Sequence, residues 1–156
     1  MKLMILGLIF GSISCLGYLF GTKYKEKVKF YTEFYNLIVY IKNQIGFFKT
    51  DIIQILESFS TKNKNILLLI ENYKNYLLTG QIQNLNILTK QENEEIYTFL
   101  KGVGANDCFT QNDFLEKYIS NFKEKLNEAK NLNLKYGVLY KKLGVLLAIF
   151  VCIVIA

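Results

Sequence analysis

Apolar and polar residues are arranged along this chain in two ways. Residues 3–22, LMILGLIFGSISCLGYLFGT, and the closing run LGVLLAIFVCIVIA, residues 143–156, carry no charged side chain. Between them, apolar residues recur every third or fourth position, the spacing of helices that each bury one stripe. Twenty residues at a rise of about 1.5 Å cover the ~30 Å hydrocarbon core of a bilayer, so the first run predicts a transmembrane helix. The second run reaches only about 21 Å. It spans if Lys141 and Lys142 snorkel towards the headgroups or the bilayer thins locally, and the alternative for a run of that length is a buried core helix.

The first run is too long, and too directly followed by GTKYKEK, for a cleaved secretory signal. Cys15 invites a lipoprotein reading, but Ser12 stands where an aliphatic residue is usual and LGYLFG continues apolar beyond it. Gly7 with Gly11, and Gly17 with Gly21, are GxxxG pairs, each placing two glycines on a face that another helix can approach closely.

The intervening residues predict four or five amphipathic helices. Tyr31, Phe34, Ile38, Ile41 and Ile45 form one stripe, on a helix expected to continue directly from the first span. A turn at Gly46–Lys49 precedes a second helix from Thr50, with Ile52, Ile53, Leu56 and Phe59 as its buried face and Asp51 in its first turn. A third helix runs from about Asn65, through ILLLI, to a stop at Gly80. That apolar core is continuous enough for a strand, but Tyr73, Tyr76 and Leu77 extend it at helical spacing. QIQNLNILTKQ predicts an irregular connector. Thr89 with Glu92 is a capping box opening a fourth helix that ends near Lys101. A fifth opens at Thr110 or Gln111, with Asp113 in the box position. Its stripe is Phe114, Tyr118, Phe122, Leu126 and Ala129, beside Leu115 and Ile119, and it continues through Tyr136 and Tyr140 into the last span. The predicted class is therefore all-α: an antiparallel helical bundle, residues 23–142, flanked by transmembrane helices at 1–22 and 143–156.

Charge then orients the chain. The formal net charge is +6, from 19 basic and 13 acidic residues. The excess sits beside the spans, at Lys23, Lys25, Lys27, Lys29, Lys135, Lys141 and Lys142. Without these, Lys2 and Glu26, 11 lysines face 12 acidic residues. Short basic flanks stay cytoplasmic, so both inner flanks and the domain between them are expected there, with each flanking lysine adding on the order of 1 kcal/mol of attraction to an anionic leaflet.

The same composition closes off several chemistries. Every basic residue is lysine, so no arginine fork exists for phosphates or guanine edges, and no nucleic-acid partner is expected. Histidine is absent, and Cys15, Cys108 and Cys152 lack metal-ligand spacing. GVGA at 102–105 has neither a GK[ST] nor a preceding strand, so no phosphate loop is supported. Glu92, Glu94 and Glu95 suit a helix N-terminus better than a metal or acid–base site. No catalytic constellation, cofactor, metal or small-molecule substrate is expected.

GVGANDCFTQNDFL is similar to the glycine-rich turn of the stage III sporulation protein AB (SpoIIIAB) family of endospore-forming bacteria. The match falls on Gly104, Asp107 and Gln111, with Asn106 where serine is usual and Phe99 where an aromatic is frequent. Gly104 supplies a turn, Asp107 can cap, and Gln111 can bond back to the turn. The resemblance extends over nearly the whole chain, from the opening span to the terminal KKLGVLLAIF. It departs at Thr50, Asp51 and Ile52, where the family has Thr-Pro-Leu, and at Phe48, which replaces a glycine. It implies a bundle similar to the F domain of type II secretion and type IV pilus platform proteins. It also implies a non-catalytic part in the SpoIIIA/SpoIIQ channel between mother cell and forespore, with the lipid bilayer, other SpoIIIA proteins and a secretion-type ATPase, stage III sporulation protein AA, as partners. A holin-like, membrane-remodelling protein is the competing expectation, for which two spans and a basic flank suffice.

Overall fold

A computed structural model describes residues 2–47, 51–103 and 108–155, and every regular element among them is helical. Helix α1 spans Lys2–Phe47, α2 Ile52–Ser58, α3 Lys64–Thr79, α4 Lys90–Gly102, α5 Cys108–Leu132 and α6 Val138–Ile155, with a single π turn, Asn133–Gly137, joining the last two. The described residues form two compact units, Met1–Val28 with Asn127–Ala156, and Lys29–Leu126.

The second unit is a bundle whose core is aromatic. Phe34 of α1 lies edge-on to Phe122 of α5, with ring centroids 4.8 Å apart, and Phe99 of α4 lies 5.0 Å from Tyr118 of α5. Phe30, Phe34, Leu37, Ile38 and Ile41 of α1 are all fully buried, as expected for a stripe repeating every three or four residues. Tyr73 of α3 donates to the carbonyl of Leu100, 3.1 Å, satisfying one of the acceptors left over at the end of α4. Burial raises the pKa of Tyr73 and Tyr97, so both phenols stay protonated donors at neutral pH.

Local chemistry sets the boundaries. Gly80 adopts φ 72°, and its N–H bonds to the carbonyl of Tyr76 at 2.8 Å, stopping α3. The box at Thr89 is complete: its hydroxyl accepts from the N–H of Glu92, and the Glu92 carboxylate accepts from the N–H of Thr89 at 2.8 Å. ILLLI is helical, within α3. Four expectations need correction. Asp51 caps α2 from outside, accepting from the N–H of Ile53, and the residues α2 buries are Ile55 and Leu56, with Ile52, Ile53 and Phe59 only half-buried. Leu77 is exposed rather than part of the buried face of α3. Helix α5 is already under way at Cys108, which places Asp113 in its second turn and leaves no box with Thr110. The turn expected at Gly46–Lys49 starts later than that, because Gly46 and Phe47 still belong to α1, and residues 48–49 lie outside the described residues.

The connector between α3 and α4 is irregular yet fixed, because buried side chains take up its backbone groups. The Asn93 amide, 1% exposed, accepts from the N–H of Leu85 at 2.8 Å and donates to the carbonyls of Thr89 at 2.9 Å and Leu85 at 3.3 Å. Tyr97 and Asn72 both donate to the carbonyl of Gln83. Replacing Asn93 by leucine keeps the volume but orphans these groups, each worth about 1–3 kcal/mol when buried without a partner. The expected result is a loss of about 3 kcal/mol in denaturant unfolding of the full chain, and a change below about 0.5 kcal/mol would show that water replaces the amide.

In the other unit, the π turn has a geometric role. At about 100° per α-helical residue, the eight residues from Ala129 to Gly137 would leave the two about 80° apart on the helix surface. The extra residue absorbed by a π turn takes back about 100°. Ala129, Gly137, Gly144 and Ala148, all buried, are thereby brought onto one face.

Candidate membrane and partner interface

Residues 1–28 and 127–156 bring the two apolar runs together as an antiparallel pair. A Cβ on Gly17 would stand 2.6 Å from Cα of Gly144, and one on Gly21 would stand 2.6 Å from the carbonyl oxygen of Gly137, so at both points backbone meets backbone. Ala148 is fully buried on the same face. Further along, the Cys152 thiol donates to the carbonyl of Leu6 at 3.7 Å. In the other direction come Phe20 against Tyr140, then Tyr24 stacked on Tyr140 at 5.9 Å and beside Tyr136. Small residues at the contact and aromatics at one end are the packing expected of helices without a hydrophobic drive between them. Gly7 and Gly11 differ: nothing within 4 Å would meet a Cβ on either.

The outward surface of this pair is apolar. Met4, Leu8, Leu16 and Leu19 on α1, and Leu146, Leu147, Phe150, Ile153 and Val154 on α6, are exposed. The helical stretches Leu6–Ile45 and Gln111–Val154 are each long and apolar enough to cross a membrane, and only 11% and 17% of their apolar windows are buried within the chain. A core helix of a soluble protein would be mostly buried, and these two leave most of their apolar surface uncovered by the described residues.

The aromatic end carries the lysines. Lys23 lies over the Phe20 ring at 5.5 Å, Lys135 over Tyr136 at 5.1 Å, and Lys141 reaches across to Tyr18 at 5.0 Å. Lys25 and Lys142 are exposed and Lys27 is half-buried; Lys29, also exposed, is the first residue of the bundle unit. This unit holds eight lysines against two glutamates, whereas Lys29–Leu126 holds eleven against eleven acidic residues. The whole net charge of +6 therefore belongs to the unit built from the apolar helices.

The bundle unit shows a different asymmetry. Its exposed large apolar side chains, among the described residues, are Leu67, Leu68, Leu77, Leu78 and Ile82, all on α3 or just past its end. Beside them a shallow cleft of about 290 Å³ is lined by Leu56, Phe59, Leu67 and Ile70, with the Lys74–Glu57 ion pair at its rim. The glutamates of α4 are engaged separately. Glu92 closes the capping box and accepts from Tyr31 at 2.8 Å, Glu94 lies 3.9 Å from Lys90, and Glu95 takes Lys125 and Asn121, each at 2.7 Å. Gln111 is buried in the first turns of α5, and Gly104 and Asp107 lie outside the described residues. Phe99 sits at the centre of the aromatic core, and Phe114 packs its ring on Gly102.

Sequence reasoning passed over Gly137, Gly144 and Ala148 as the surfaces met by the glycines of α1. The signal was present as small residues at seven- and four-residue spacing, but the π turn hides its continuation into α5. A protein-family model described as stage III sporulation protein AB matches residues 2–156. Among curated proteins and among solved structures there is no match.

Proposed function

Because the chain belongs to the stage III sporulation protein AB family and has a role in sporulation, we propose that it acts there as a non-catalytic membrane platform. In this reading the two apolar helices anchor it in the bilayer, the lysine-rich flanks keep the bundle cytoplasmic, and the bundle couples the ATPase stage III sporulation protein AA to membrane subunits of the SpoIIIA/SpoIIQ channel complex. The observation that carries the reading is that, among the described residues, the bundle's exposed large apolar side chains fall at positions 67–82, in a unit whose charges balance. A membrane-remodelling protein has no use for such a face on an ordered bundle.

The test combines sidedness with capture. A membrane-impermeant thiol reagent should label Cys108 only from the cytoplasmic side, and a photocrosslinker at Leu68 should capture the ATPase in sporulating cells. Leu67→Glu with Leu78→Glu should abolish capture and block spore formation while leaving the protein in the membrane. Labelling from outside would overturn the topology. Leakage of dye from vesicles by the chain alone, without capture, would favour the holin-like alternative.

A further inference from the structure

We propose that the paired apolar helices hold one anionic glycerophospholipid, its phosphate between Lys25 and Lys141 beside Tyr18 and an acyl chain lying along Gly7 and Gly11. This rests on the membrane reading of these helices and goes beyond it, from a general attraction to anionic leaflets to a lipid site on one face.

The face is defined by α1. At about 100° per residue, Gly7, Gly11, Tyr18 and Lys25 fall within about 40° of one another. Tyr18 and Lys25 are exposed, Thr22 between them adds no charge, and neither does Ser14 between Gly11 and Tyr18, whose hydroxyl is turned inward and buried. Lys141 joins the face from the other helix by a route the structure makes visible. Its stem crosses α1 at Gly21, where a Cβ would stand 2.7 Å from Lys141 Cγ, and its ammonium ends 5.0 Å from the Tyr18 ring. Glycine at 21 thus leaves room for a lysine of α6 to reach the far side of α1. Two ammonium groups from different helices and a phenol beside them suit a phosphodiester, and basic pockets between membrane helices are a recurrent setting for such headgroups.

Below this point the face becomes flat. Gly11 lies about 10 Å and Gly7 about 16 Å further along the axis from Tyr18, a span comparable with one leaflet of a ~30 Å hydrocarbon core. Among the described residues nothing comes within 4 Å of a Cβ placed on either glycine, and by helical position Leu8 and Phe10, both exposed, stand on the two sides of the face. A groove floored by glycine and walled by apolar side chains fits a methylene chain. The ligand is therefore a lipid: a free phosphate would use the lysines and have no use for the groove.

The experiment uses the full-length protein in phosphatidylcholine nanodiscs, comparing immobilisation of spin-labelled phosphatidylglycerol with that of spin-labelled phosphatidylcholine. The native chain should prefer phosphatidylglycerol. Lys25→Gln with Lys141→Gln should weaken that preference roughly tenfold, whereas Lys23→Gln with Lys142→Gln, the same loss of charge, should leave it largely in place. Gly11→Leu should also lower it, with no change in charge. Equal losses from the two lysine pairs would mean diffuse attraction and overturn the site, as would a preference indifferent to Gly11→Leu. Failure of the protein to enter the nanodisc at all would instead sink the membrane reading.

Discussion

Phe99→Ala is expected to cost the bundle about 4 kcal/mol, the range for emptying a fully buried aromatic site. Phe99 has no exposed surface, and its ring meets Phe34 at 6.0 Å, Phe114 at 6.1 Å, Tyr118 at 5.0 Å and Phe122 at 6.3 Å. Three helices therefore lose contacts together, and the rings are too constrained by one another to collapse into the space. Denaturant unfolding of the full chain in detergent, followed by near-ultraviolet circular dichroism of its tyrosines, measures the loss. Leu78→Ala, at a site 85% exposed, is the comparison and should change stability by less than about 0.5 kcal/mol. Equal effects at the two sites would mean that Phe99 is not at the centre of the core.

Gly17→Leu should force the two apolar helices apart, while Gly7→Leu should not. At Gly17 the obstacle is the backbone of Gly144 and Tyr140, which cannot rotate out of the way, whereas at Gly7 there is open space. Overpacking a close contact costs typically 1–3 kcal/mol, and more when the neighbour is main chain. The pairing can be read with a disulfide. In a chain with Cys15 and Cys108 replaced by serine, Leu6→Cys should form a disulfide with Cys152, whose thiol already bonds to the carbonyl of Leu6. Adding Gly17→Leu should lower the yield about tenfold or more, and adding Gly7→Leu should leave it unchanged. A Gly17→Leu chain that still forms the disulfide fully would show that the glycine contact does not hold the pair together.

The two predictions differ in how far the sequence alone leads to them. The aromatic core is legible because Tyr31, Phe34, Phe114, Tyr118 and Phe122 repeat at helical spacing, and periodicity reports burial directly. The glycines of α1 are legible as a face, but not what meets them, since pairing across 120 residues leaves no local signature. Caps read well where the side chain and its target are three residues apart, as at Thr89 and Glu92. The fixed course of the connector does not, because Asn93 holds it from inside the next helix, through a side chain that looks like an ordinary surface amide. The buried face of α2, Ile55 and Leu56, is hard to read for a related reason: seven residues are too few for a period to define one side.

The π turn at Asn133–Gly137 makes the chain's tolerance of length changes unequal. Removing one residue there, for instance Leu134, which is 71% exposed, lets the turn relax to an ordinary α-helix, with Ala129 and the glycine after the gap seven residues apart and about 20° from alignment. Adding one has no such outlet. It would turn the whole of α6 by about 100°, moving Gly144 and Ala148 off the contact and bringing larger side chains into it. Among descendants of this sequence, single-residue deletions in the segment should therefore survive where single-residue insertions do not. The bulge is the one place where the terminal helix keeps a residue in reserve.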